Sequence, residues 1–197
     1  MSFSDKSKIQ RGKNFTTNNK NIIISLVIIA TIGFIVRINY VSFELPIILD
    51  GLVYFWYAID MSQLGYFPIG YPEATNNGWP SFLSIFFTLY NSNNFLDFMA
   101  LQRLISITIS VLTIIPIYLL CRRFVPTIFA IFGSGLFIFD PRIIQNSTLG
   151  ITEPILILLL TFSIYLFLKN KINLTYLTFS IASLAILIRI EAIFLFI

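Results

Sequence analysis

Four ionisable side chains stand where apolar runs begin or end. Asp50 follows Leu45-Pro46-Ile47-Ile48-Leu49, Arg103 precedes Leu104–Cys121, Glu153 precedes Pro154–Leu168, and Arg189 follows Ile172–Ile188. Charges so close to apolar segments are costly, and they are usually paired or functional. The chain contains no His. A His general base, a His-ligated metal and a Ser-His-Asp triad are therefore excluded, and a carboxylate is the natural base. Asp50 offers that carboxylate; its plain alternative is an N-cap at a helix start. Arg103 and Arg189 offer guanidinium groups suited to a phosphate, or else act as snorkelling anchors. Glu153 and Asp140 each precede a Pro. That pattern suits a helix boundary, with Glu153 also favoured by the positive end of a helix. The single Cys121 allows no intrachain disulfide.

The background to these charges is strongly apolar. Of 197 residues, 57% are hydrophobic and only 11% charged, with a mean hydropathy of +0.86. Soluble domains carry about 25% charged residues, so a soluble single-domain enzyme, a disordered chain and a disulfide scaffold are all excluded. Five charge-free runs follow: Ile22–Val36, Leu104–Cys121, Phe124–Phe139, Pro154–Leu168 and Ile172–Ile188. Each has 15 to 18 residues, slightly fewer than the ~20 that span a hydrocarbon core. Flanking Lys and Arg extend the usable length by snorkelling. Ala192–Ile197 reads as the beginning of a sixth helix, so the chain looks like the N-terminal part of a longer protein or a truncated paralogue. The expected fold is an all-α polytopic membrane protein with about five transmembrane helices plus the start of a sixth. Residues 1–20 form a basic tail and residues 21–197 the membrane module.

The positive-inside rule orients it. With the tail in the cytoplasm, Lys6, Lys8, Arg11, Lys13, Lys20, Arg122, Arg123, Lys169 and Lys171 lie inside. Glu44, Asp50, Asp60, Glu73, Asp97, Asp140, Glu153 and Glu191 then lie outside. The first run is read as a retained helix, because Phe34-Ile35-Val36-Arg37 is no signal cleavage site. The expected location is the cell membrane. The outer loop 37–98 is long and rich in aromatics: Trp56, Trp79, Tyr40, Tyr54, Tyr57, Tyr66, Tyr71 and Tyr90. Within it, Gly51–Leu64 has helical character, with Leu52, Trp56, Ile59 and Gln63 on one face, and reads as an interfacial helix. Gly65–Pro80 reads as irregular loop. Ser81–Tyr90 is too short to cross and reads as a second interfacial or re-entrant helix.

The order of these features resembles the GT-C membrane glycosyltransferases, in particular the protein O-mannosyltransferase-like branch that includes the bacterial lipid A aminoarabinose transferases and the RgtA/B/C/D-like group. The resemblance runs from the first helix to Glu191. It rests on Asp50 followed by Tyr54-Phe55-Trp56-Tyr57, and on Asn77-Gly78-Trp79-Pro80 leading into a short apolar helix. It continues with Arg103 and the basic pair Arg122-Arg123, then Thr152-Glu153-Pro154, and closes with Arg189-Ile190-Glu191. Many members carry a second acid after the first; here Gly51 occupies that place.

The resemblance implies transfer of a sugar from a polyprenyl- or dolichyl-phosphate-linked donor to a protein, lipid or glycan acceptor outside the membrane. Asp50 would be the catalytic base. Arg103, Glu153, Arg189, Tyr54 and Trp79 would bind substrate, and a divalent metal is possible at Glu153 and Asp50. Membrane lipid is a partner and nucleic acid is not. Two alternatives stand beside it: a non-catalytic membrane subunit or transporter fragment, and an oligosaccharyltransferase-like enzyme.

Overall fold

In the computed structural model, the backbone is described for residues 3–68 and 77–196, and the side chains for 19–68 and 77–194. Tyr71, Glu73, the middle of the expected Gly65–Pro80 loop and the basic side chains before Lys20 lie outside the described residues. The described chain is helical and has no strand. In order come α1 (Phe3–Tyr40), α2 (Asp50–Leu64), α3 (Gly78–Leu89), α4 (Phe95–Leu112), α5 (Ile114–Cys121), α6 (Thr127–Ile138), α7 (Pro141–Thr148), α8 (Glu153–Phe167) and α9 (Ile172–Ile188), followed by a 3₁₀ helix Ile190–Phe196.

Two helical stretches are long and apolar enough to cross a membrane: Asn19–Tyr40 within α1, and Phe95–Cys121, which joins α4 to α5. The second breaks at Thr113, where Pro116 lacks the N–H that would have continued the ladder. A third span exists if α6 and α7 are counted together across their 50° bend. Asp140 makes that bend: it ends α6, and its carboxylate accepts from the Arg142 and Ile143 N–H groups while Pro141 opens α7. The segment between Asp140 and Glu153 is thus mostly helix. The five spans expected from charge-free runs are not matched in length: α8 and α9 have 15 and 17 residues. A 15-residue helix rises about 22 Å against a core of about 30 Å. The expected sixth helix takes the tighter 3₁₀ form over Ile190–Phe196.

The two short helices of the long loop are present, but they are more than a surface layer. Phe55, Ala58 and Ile59 of α2, Trp79, Leu83 and Phe87 of α3, Met99 of α4, Ile155 of α8 and Ile188 of α9 form one buried cluster. The face of α2 that packs is therefore Phe55–Ala58–Ile59. Trp56 and Gln63, expected on the same face as Ile59, are exposed. Spacing alone could not choose between apolar stripes on a helix that is apolar nearly all round. At the opposite end of the bundle, Arg123 of the basic pair donates to the Leu168 carbonyl at the end of α8.

One buried cation ties the bundle. Arg37, in the last turn of α1, is fully buried. Its Nε donates to Ser147 Oγ of α7, its Nη1 to the Gly33 carbonyl, and its Nη2 to the Ile138 carbonyl of α6 and to Ser110 Oγ of α4. No carboxylate meets it. Its charge rests on hydroxyls and on the negative ends of α1 and α6. Gly33 makes room for this junction, because a Cβ there would overlap the Ile138 side chain. Arg37→Lys keeps the charge but cannot reach four acceptors. It should destabilise the detergent-solubilised protein by about 2–4 kcal/mol, read as a drop in thermal midpoint; an unchanged midpoint would refute the tie.

Candidate functional site

The site grows from two glycines. Gly51, in the first turn of α2, packs so closely on the loop between α7 and α8 that a Cβ would overlap the Leu149 carbonyl oxygen. Gly150 turns that loop at φ +70°, a conformation glycine accepts without strain. Gln102 of α4, wholly buried, donates through Nε2 to the carbonyls of both Gly51 and Gly150. The Gly150 carbonyl also accepts from Trp79 Nε1 at 3.0 Å. One buried carboxamide thus locks the start of α2 to the start of α8. Entry into α2 is tight: Leu49 sits at φ 55°, ψ −140°, a sparsely populated region that costs on the order of 1–3 kcal/mol.

This junction places Asp50 as an exposed first residue of α2. The N-cap alternative is overturned. Leu49 holds the cap position and no side chain caps the helix, because the forced approach of Gly51 starts the helix one residue after Leu49. The Asp50 carboxylate makes no hydrogen bond or ion pair among the described residues. Tyr54, one turn further on, is half-buried and lies in electrostatic range of Arg189.

Arg189 and Glu153 are brought together. α9 ends at Ile188, and Arg189 is extended at φ −150°, ψ 129°. Its Nη1 meets Glu153 Oε1 at 2.9 Å. Its other edge faces Glu191, with Nη2 to Oε1 at 3.1 Å and Nε to Oε2 at 3.4 Å. Residues two apart do not face each other on an α-helix; here they do, because the helix has already ended. The hydrogen bond to Glu191 raises the Arg189 pKa most; burial opposes it, and Glu153, Glu191 and Tyr54 add to the rise. The same hydrogen bond lowers the Glu191 carboxyl. Burial raises the Tyr57 hydroxyl. Glu153 also lines a cavity of about 10 Å³ with Ser110, Thr113 and Asn146, room for about one water. Ser110 is also a ligand of Arg37, so one hydroxyl joins this cavity to the buried cation.

Two other expected site residues are placed elsewhere. Arg103 is nearly buried and committed to the chain: its Nη1 donates to the Ser42 and Leu45 carbonyls and its Nη2 to the Pro46 carbonyl. It fastens the segment that leads to Asp50 instead of facing a phosphate. Trp79 is fully buried, stacks on Phe82 and belongs to the core. Sequence reasoning missed Gln102 and Arg37. The one available signal was their type, since an uncharged amide next to Arg103 and an Arg at the end of an apolar run both need buried partners. Among the described residues no three His, Cys, Asp or Glu side chains are placed to hold a metal ion. Glu153 and Glu191, the two acids that converge, already share Arg189.

No family model, curated protein or solved structure matches this chain.

The glycine junction makes a direct prediction. Gly51→Ala should destabilise the protein by about 1–3 kcal/mol, because the obstacle is backbone. Gly133→Ala in α6, whose Cβ would meet Cys121 Sγ at an ordinary 3.6 Å, should be neutral or slightly stabilising. Equal thermal midpoints for the two variants would refute the junction.

Proposed function

We propose that this chain is a membrane glycosyltransferase module of GT-C type, using a polyprenyl-phosphate-linked sugar. The observation that carries the reading is the Nε/Nη2 edge of Arg189. It is held by Glu153 from the other side, half-exposed, and engaged fork-to-fork by the carboxylate of Glu191. A carboxylate on that edge occupies the position a phosphate would take, and the planar fork suits both. Glu191 then swings away as the donor phosphate binds. Asp50, exposed on α2 and without a partner among the described residues, is the base. It takes the proton of an acceptor hydroxyl as the acceptor oxygen bonds to the anomeric carbon and the bond from that carbon to the phosphate oxygen breaks. The pair of electrons leaves on the phosphate, against Arg189.

The reading also needs all five apolar runs to cross. α8 and α9 are short, but Lys169 and Lys171 flank one end and Arg189 the other, so thinning and snorkelling complete the span. The proposed topology puts the N-terminal tail in the cytoplasm of a cell-membrane protein, with Asp50, Glu153 and Arg189 outside.

Transfer from radiolabelled polyprenyl-phosphate hexoses, measured in membranes carrying the whole chain, tests the site. Asp50→Asn should lower transfer by roughly 10²–10⁴-fold, and Arg189→Lys should raise the KM for donor. Full activity of Asp50→Asn would reject the assignment. Topology has its own check. Cys121, the single thiol, should react with an impermeant maleimide in inside-out vesicles and not in right-side-out ones; the reverse pattern would invert the orientation.

A further inference from the structure

A second recess lies beyond the charge cluster, between the last turns of α2 and α3 and the start of α4. It has a volume of about 300 Å³, at the lower end of the range of small-molecule sites, about 300–1,000 Å³. Ile59, Phe87 and Phe98 form its apolar part, and Ser62, Gln63, Thr88, Asn93, Asn94 and Phe95 its polar and aromatic rim. The lining carries no ionisable side chain.

The hydrogen-bonding capacity of that rim is largely unspent. Among the described residues the side chains of Gln63 and Asn93 make no hydrogen bond. Asn94 uses only Oδ1, which accepts from Leu96 N–H, and its two amide protons remain. Ser62 and Thr88 donate to the backbone carbonyls of Ile59 and Ser84, leaving their oxygens as acceptors. Three carboxamides and two hydroxyls thus supply donors and acceptors in one small space with no net charge. The rim is held in shape: Ser92 Oγ donates to Asp97 Oδ2 at 2.6 Å and accepts from Asn94 N–H at 3.1 Å, fixing the turn before α4.

The aromatic wall is equally specific. Phe95 is half-exposed, braced edge-on by buried Phe55 and flanked by Trp56 at 5.2 Å between ring centroids. An exposed, rigid ring face is electron-rich and meets the weakly positive C–H face of a pyranose. Amides meanwhile match vicinal hydroxyls as paired donor and acceptor. An anion would find no cation here, and a cation no carboxylate in the lining. A purely apolar ligand would strand three amides.

We propose that this recess binds a neutral saccharide. It lies at the end of α2 opposite Asp50, about 14–20 Å along the helix, so it would hold a distal unit of an extended acceptor glycan. That role rests on the transferase reading, whereas sugar binding does not.

The test is a binding titration of the whole chain in lipid nanodiscs, because a maltoside detergent would itself occupy a sugar site. Trp56, 40% exposed and against Phe95, is the reporter; Trp79 is fully buried. The probes are methyl α-glucoside, methyl α-mannoside, methyl β-galactoside and maltose, with glucuronate and a capped tripeptide beside them. At least one neutral sugar should change Trp56 fluorescence saturably, and Trp56→Phe should abolish the change. Phe95→Ala should weaken binding at least tenfold. Gln63→Ala and Asn93→Ala, both exposed and free of packing roles, should each weaken it several-fold with unaltered thermal unfolding. The proposal is overturned if no neutral sugar saturates, if glucuronate or the peptide binds as tightly, or if the Gln63 and Asn93 variants bind as the parent does. Asp50→Asn should bind sugar normally. Intact sugar binding with absent transfer rejects only the transferase reading, and active transfer without sugar binding rejects only this subsite.

Discussion

A guanidinium with no carboxylate, buried where helices α1, α4, α6 and α7 meet, is the constraint on which the rest of the bundle depends. Removing Arg37 from water is tolerable only if nearly all of its N–H donors are answered. The answers come from four places along the chain: Gly33, Ser110, Ile138 and Ser147. These partners are met because α6 ends at Ile138 and α7 leaves it at a 50° bend. The Asp140–Pro141 corner is therefore a requirement of the charge as much as a local preference. Gly33 completes the arrangement by letting α6 approach α1.

A second, uncharged node repeats the principle one layer further out. The Gly150 carbonyl accepts from Gln102 and Trp79 together, while Gln102 also reaches Gly51. Three donors and two carbonyls thus join α2, α3, α4 and the entry to α8. The two nodes share α4, four residues at a time: Gln102, Ser106 and Ser110 lie along one face at helical spacing. Rigidity is then concentrated beneath the outer surface, while the groups that could do chemistry stand above it. Asp50 is exposed beside the strained Leu49, and Arg189 hangs from the end of α9 with its Nε/Nη2 edge paired to the exposed Glu191. Strain and half-exposed charge on a rigid base are what a reactive or binding surface needs.

How much of this was legible differed by residue. Helices α2 and α3, with the boundaries at Asp140 and Glu153, followed from prolines and apolar runs, whereas the cap expected of Asp50 fell to Leu49. The pairing of Arg189 with Glu153 did not, since 36 residues separate them; only the antiparallel packing of α8 on α9 brings their ends together. Arg103 and Trp79 carried the residue types of a binding site, yet both are consumed by the fold. An Arg bound to three backbone carbonyls and an Arg waiting for a phosphate look identical in one dimension.

Sequence alone determined the solvent. With 11% charged residues, a polar exterior was out of reach, so an apolar environment followed, and the long charge-free runs chose helices over the closed barrel as the answer to it. It also excluded acid–base chemistry by histidine. Tertiary structure decided which charges are spent and which are left over. That choice depends on distances between helices, and helix packing is set by close approaches at Gly33 and Gly51 and by buried donors seeking carbonyls far along the chain.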